Sequence, residues 1–382
     1  MSFARSGEAG PEFEVLAPGR VNLIGDHIDY LGYDVLPVAL PQCVRITGRV
    51  RPDRRVLISS ALHNEDVLLD PSDSIPSARP GHWSNYVRAA ILALYTPDRR
   101  RGFDAIIASD LPPAAGLSSS SALIVASAIA YLHANGESFD RLELAEQMAR
   151  AERYVGTEGG GMDQAVCLLA EAGTANRISF SPLRVTHVPI PAGWQFLVAD
   201  SLERAEKGSS ARAAYNARAR EARRAIEDVT VAASIDVQAP ERSGEILAAG
   251  ERLLAEPMLR RLRHVVSEAG RVRKAVDALR DDDPSRFGRL MNESHVSLRR
   301  DFEVSTNALD HLCEILIRAG AHGARLTGAG LGGSVVALGS RDSAARLIAA
   351  VDHEYYALRG LVPTARERFL VEASAGARIR RI

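Results

Sequence analysis

Short β-branched runs and longer apolar stripes share the first half of the chain. VRITGRV (44–50), VLISSAL (56–62) and FDAIIAS (103–109) have the β-branched content of strands. SALIVASAIAYLHA (121–134) and LELAEQMARAERYV (142–155) carry helical patterning. RISFSPL (177–183) and WQFLVADS (194–201) return to strand character. From about residue 202 the pattern turns helical and arginine-rich, through ARAAYNARAREARRAIEDV and MLRRLRHVVSEAGRVRKAVDALR. A Pro/Gly-containing stretch near 237–246 is predicted to separate those two helices. SVVALGS (334–340) is again a strand, followed by an amphipathic helix near 342–352. Mixed but non-alternating order predicts an α+β fold rather than a doubly wound sheet, with a division near residue 190. The arginine clusters at 99–101 and 260–264 are predicted to be solvated faces. The polar, glycine-containing start, to about residue 10, is expected to fray.

Composition narrows the classes. The 382 residues, 46% of them hydrophobic, suffice for two domains. A net charge of −1 argues against broad binding to nucleic acid or anionic membranes. Cys43, Cys167 and Cys313 are scattered, which excludes a CxxC zinc site and fits a reducing cytoplasm. The N-terminus lacks an apolar signal core, and no apolar run has transmembrane length. Lys207 and Lys274 are the only lysines, so arginine carries nearly all the positive charge.

Four segments concentrate chemistry. APGRVNLIGDHIDYLGYDVLP (17–37) sets Arg20, Asp26, His27 and Asp29 among glycines and apolar residues. Charges so placed sit near a buried edge and need partners, and an acid-rich cluster with one arginine suits a polyhydroxylated ligand. A strand and turn with surface charges is the alternative. DLPPAAGLSSSSALIVASAIA (110–130) stops a strand and opens a long helix on a serine run. A helix N-terminus binds phosphate through its N–H groups and partial positive charge, and serines add donors and a magnesium ligand. A simple cap needs one serine rather than four. No P-loop Gly-Lys-Ser/Thr occurs, nor a protein-kinase VAIK lysine or HRD loop.

In ARAERYVGTEGGGMDQAV (149–166), Glu152 shares a helical face with Leu144, Met148 and Val155. A carboxylate there needs either an arginine partner or a metal. Gly159-Gly160-Gly161 lets the backbone approach a ligand closely, and Asp163 follows as a site residue or a helix cap. RLTGAGLGGSVVALGS (325–340) formally matches GxGxxG through Gly328, Gly330 and Gly333. It runs into a strand instead of opening a helix, which rules out a dinucleotide fingerprint and leaves a close-approach glycine loop.

Together these segments resemble the GHMP superfamily of small-molecule kinases. GRVNLIGDHIDY is similar to the galactokinase signature, GLSSSSAL to the superfamily's phosphate loop and LTGAGLGG to its third motif. MNESHVSLRRDFEVS (291–305) and SSARAAYNARAREARRA (209–225) also resemble galactokinases, the similarity running from about 14 to 340. The resemblance implies a two-domain α+β GHMP kinase fold. Residues 1–190 would form a ribosomal-protein-S5-like domain binding nucleotide and sugar, and 191–382 a ferredoxin-like α/β domain. It implies Arg20 and Asp163 as the catalytic pair, and Asp26, His27, Asp29, Gly160 and Tyr215 as sugar-binding residues. Trp83, Gly116, Leu117, Ser118, Ser119 and Ser120 would bind nucleotide, and Ser120 and Glu152 would hold Mg2+.

The activity so implied is transfer of the ATP γ-phosphate to the anomeric hydroxyl of galactose or N-acetylgalactosamine. A cytoplasmic monomer or weak dimer is expected, without nucleic-acid or membrane partners. The chain departs from the pattern in places. Asp26 stands where the family usually has Glu, so its carboxylate reaches one methylene less. Glu158-Gly159-Gly160 replaces a commoner Pro-Cys-Gly, which could leave room for an N-acetyl group beside the sugar's second carbon. Ser334 replaces a common Cys, and Ala114-Ala115 replace glycines. A non-catalytic sugar sensor is one rival, opposed by intact Arg20, Asp163 and serine loop. A GHMP kinase for arabinose, a uronic acid, homoserine or mevalonate is another; the Asp26-His27-Asp29 cluster favours a neutral polyol.

Overall fold

The computed structural model describes residues 10–71, 75–112, 115–156, 159–204, 209–233 and 242–382, with the backbone alone for 209–212. Residues 1–9, which include most of the start expected to fray, and Ala114, Glu158 and Lys207 lie outside the described residues. The chain order is β1 (Phe13–Asn22), β2 (Pro37–Val50), β3 (Val56–Ser60), β4 (Glu65–Leu69), α1 (Ser84–Leu94), β5 (Phe103–Ser109), α2 (Ser119–Ala134), α3 (Arg141–Ala151), α4 (Met162–Leu169), β6 (Thr174–Ser179), β7 (Arg184–Pro189) and β8 (Trp194–Asp200). It continues with α5 (Ser209–Ala233), α6 (Ser243–Leu253), α7 (Met258–Arg280), α8 (Pro284–Arg300), α9 (Asn307–Arg318), β9 (Gly323–Thr327), β10 (Ser334–Ser340), α10 (Ala344–Val351), β11 (Arg368–Leu370) and β12 (Arg378–Arg381).

A six-stranded sheet has the order β12-β1-β2-β5-β3-β4, and a four-stranded sheet the order β11-β8-β10-β9. The first sheet needs cover because every residue of β1 is buried. α2 supplies much of that cover. It is apolar nearly all round, which suits a helix enclosed on all sides, and its residues from Ser121 to Leu132 are buried. The second sheet begins at Trp194, while β12 returns to pair with β1, so the end of the chain completes the first sheet. Helices α8 and α9 pack on β9 and β10, α7 packs against α8, and all three share one core with the first sheet. All three cysteines are buried and free. No helix among the described residues is long and apolar enough to cross a membrane.

The separator at 237–246, of which 237–241 lie outside the described residues, does fall between α5 and α7, and its last residues begin a further helix, α6, whose Ile246 and Ala249 join Leu262 and Val266 of α7 in a satellite core. One expectation is corrected. The 260–264 run is not a solvated face. Arg261 and His264 are 3% and 0% exposed. Arg261 reaches Glu221 (2.9 Å), Glu303 (2.7 Å) and the Asp301 carbonyl, because a buried guanidinium must have its donors met. Arg261→Ala is therefore expected to lower unfolding free energy by about 2 kcal/mol, read as a fall in the urea midpoint. An unchanged midpoint contradicts this placement.

Candidate active site

Every site residue proposed from the sequence borders one cavity of about 510 Å³. Its centre is an ion pair between β1 and α4. β1 changes register between Pro18, opposite Cys43, and Arg20, opposite Ala39. Such an irregularity re-aims a side chain. Gly19 allows it, since a Cβ there would lie 2.4 Å from Leu111. Arg20 Nε donates to Asp163 Oδ1 at 2.8 Å and Nη2 to Oδ2 at 3.0 Å, a two-pronged contact. Nη1 donates to the Gly116 carbonyl at 2.6 Å, and the Arg20 backbone N–H to that of Leu117 at 3.2 Å. One guanidinium thus pins the serine loop to the first turn of α4. Asp163 does not cap its helix; Gly161 holds the cap position.

The serine loop enters α2 through Ser118, whose φ of 59° is left-handed. Its hydroxyl donates to Asp163 Oδ2 instead of capping the helix. From behind, the glycine loop after β9 presses on Gly116: a Cβ at Gly328 would lie 2.7 Å from the Gly116 carbonyl. Ser334 Oγ donates to the Ala115 carbonyl at 2.9 Å, so the serine in place of a common cysteine ties the two loops together. The close-approach loop anticipated at 325–340 therefore packs against the serine loop, and Gly328 and Gly330 line the cavity.

The segment after β1 forms the other wall. His27 has a φ of 64° and donates from Nε2 to the Ala329 carbonyl at 3.1 Å. Burial and the neighbouring His264 lower its pKa to about 3, so the ring is neutral and Nδ1 is an acceptor. Asp29 Oδ2 accepts from the Gly160 N–H at 3.1 Å. Burial, then the Asp163 charge, raises the Asp29 pKa to about 6. Tyr215 on α5 faces His27 at 5.4 Å between ring centres.

Asp26 borders the cavity but departs from the expected presentation to a ligand. It is 2% exposed. Oδ1 accepts from the Gly328 N–H at 3.1 Å and Oδ2 lies 2.6 Å from the fully buried Arg325. The shorter side chain and the need to pair a buried charge account for this.

Glu152 stands with its carboxylate toward Ser121 Oγ (3.3 Å) and Gln164 Nε2 (2.8 Å). Neutral donors are thus among the partners of this carboxylate. At the far end, Trp83 donates from Nε1 to Glu65 at 3.0 Å and stacks parallel to His63, 5.8 Å between centres. Sequence patterning did not mark Arg325, Gln164 or His63. Gln164 and Arg325 lie inside the glycine-containing segments 149–166 and 325–340 and could have been found there; His63, in a turn without pattern, carried no signal.

Comparison with known proteins agrees with this geometry. Residues 85–171 match the GHMP kinases N terminal domain and 275–357 the GHMP kinases C terminal domain. Residues 3–50 match the galactokinase galactose-binding signature. Fold and serine loop are thus those of a GHMP kinase. The galactokinase of Roseiflexus sp. (strain RS-1) is 40% identical over 342 residues, 87% of this chain and 85% of its own. That of Bos taurus is 36% identical over 357 residues, 91% of this chain and 89% of its own. The crystal structure of Lactococcus lactis galactokinase complexed with galactose superposes with a TM-score of 0.87 at 30% identity, covering 98% of this chain and 96% of that one. Within the GHMP kinases, the chain belongs to the galactokinase family.

The adjacent glycines separate two kinds of requirement. A Cβ at Gly160 would lie 2.3 Å from the Asp29 and Tyr30 backbone, whereas at Gly159 the nearest atom is 3.8 Å away. Gly160→Ala is expected to cost about 1–3 kcal/mol through forced backbone shifts, and Gly159→Ala about 0.5 kcal/mol or less. Thermal unfolding of both variants checks this; equal losses contradict the packing.

Proposed function

We propose that this chain transfers the γ-phosphoryl group of ATP to the anomeric O1 of galactose, with magnesium. The single observation that carries the reading is the Arg20–Asp163 fork, set between the serine loop and the His27–Asp29 cluster within one cavity. The O1–phosphorus bond forms as the bond to the β-phosphate oxygen breaks, and ADP leaves. Such transition states are loose, so catalysis is mainly positioning and charge neutralisation.

In this reading the first 190 residues form the domain that carries nucleotide and sugar, and the rest braces it. Trp83 flanks the adenine, and Gly116 to Ser120 cradle the phosphates. Arg20 neutralises charge on the transferring group. Asp163 orients the sugar hydroxyl and receives its proton late; with Arg20 on both oxygens, orientation is its larger contribution. His27 and Asp29 accept from sugar hydroxyls, with Gly160 and Tyr215 beside them. Asp26 holds that segment in place through Gly328 and Arg325. Ser120 and Glu152 border the same cavity and offer hard oxygen donors, which fits magnesium. When bound, magnesium supplies neutralisation of phosphate charge.

A second reading, N-acetylgalactosamine as an additional substrate, is supported by the open space at Gly159. A strong preference for galactose that Gly159→Cys leaves unchanged contradicts it, measured as catalytic efficiency on both sugars.

A coupled ADP-release assay with galactose, and phosphorus NMR of the product, test the main reading; no anomeric phosphate contradicts it. Asp163→Asn is expected to lose orders of magnitude in turnover while still binding sugar. Near-normal turnover rejects its role.

The Asp29 carboxyl gives a pH signature. Its ionised form is the acceptor, so the KM for galactose should rise as pH falls through about 6. Because its folded pKa is raised, its contribution to stability is full below the unfolded value and lost as pH rises through about 6. Asp29→Asn should then bind galactose poorly yet melt higher than the parent at pH 8. A flat KM profile and an unchanged melting temperature contradict this.

A further inference from the structure

We infer that the Ser118 hydroxyl is a positioning group that couples nucleotide and sugar binding. It occupies Asp163 Oδ2 in the free site, and nucleotide draws it off so that a sugar hydroxyl can take its place. The inference rests on the function proposed above.

The geometry is specific. A serine at a helix N-cap ordinarily turns its oxygen to the N–H groups of the first turn. Ser118 instead adopts a left-handed backbone, which is unfavourable for a non-glycine residue, and donates to Asp163. Asp163 Oδ2 also accepts Arg20 Nη2 at 3.0 Å. A carboxylate oxygen has two lone-pair sites, so these two donors fill it. A substrate hydroxyl bonding there must displace one of them. Arg20 is the harder to move, since it is 6% exposed and also bonded to Asp163 Oδ1 and the Gly116 carbonyl. Ser118 lines the cavity, and rotation about one side-chain bond turns its oxygen. A phosphate offers it another anionic acceptor, so the exchange leaves no donor unmet. Asp163 then has a site that the sugar fills.

By linkage, galactose must tighten nucleotide binding by the factor with which nucleotide tightens galactose binding. Titration calorimetry of the full chain with galactose, alone and with the β,γ-imido analogue of ATP and magnesium, measures that factor. The parent is expected to show a Kd for galactose at least about fivefold lower with the analogue. The factor should shrink toward one in both Ser118→Ala and Ser118→Gly. Glycine suits the left-handed backbone and alanine does not, so loss in both traces to the hydroxyl and not to strain. A parent without coupling overturns the inference, as does an undiminished factor in either variant, even if the analogue binds more weakly. A parent that binds no galactose contradicts the proposed function itself and removes the basis of this inference with it.

Discussion

A guanidinium withdrawn from water must place its donors on protein acceptors. At Arg20 that requirement organises the whole centre. Its donors reach Asp163 on α4 and Gly116 in the serine loop, while its backbone belongs to β1. Three segments far apart in sequence are thereby fixed around one group. Lysine could not do this, because a single ammonium cannot grip both oxygens of a carboxylate in a plane. A chain that uses almost no lysine and has no P-loop still acquires a cationic centre beside its serine loop this way. It sets a rigid fork beside a helix entrance.

The second sheet contributes from behind. Gly25 and Asp26, at the root of the His27–Asp29 segment, bond to Glu268, His264, Arg325 and Gly328, all on α7 or around β9. The glycine loop that follows β9 also presses on the serine loop. Both walls of the cavity therefore take their positions from the C-terminal half, although most of the residues lining it belong to the N-terminal half. This explains charges in the middle of α7: Glu268 and His264 are fully buried because they complete the back of the site.

The parts legible in the sequence were those whose local pattern carries a mechanism. Strands β2, β3 and β5 and helix α2 announce themselves by patterning, and the serine run and triple glycine by backbone chemistry. What could not be read depends on contacts across the chain. Nothing local distinguishes Arg261, buried against Glu221 and Glu303, from the exposed Arg100 and Arg101. Asp26 resembled a sugar-binding residue because its motif neighbours do, yet its partner Arg325 lies 299 positions away in sequence. The return of β12 to β1 is likewise a matter of topology, as four residues with three arginines carry no strand signal of their own.

The most direct test of the account is a crystal structure with galactose and a non-hydrolysable ATP analogue bound together. The anomeric oxygen should lie within hydrogen-bonding reach of Asp163, roughly 2.6–3.2 Å, with the terminal phosphate beside Arg20. A complex in which a different sugar hydroxyl faces Asp163, or the polyphosphate lies away from the serine loop, contradicts it.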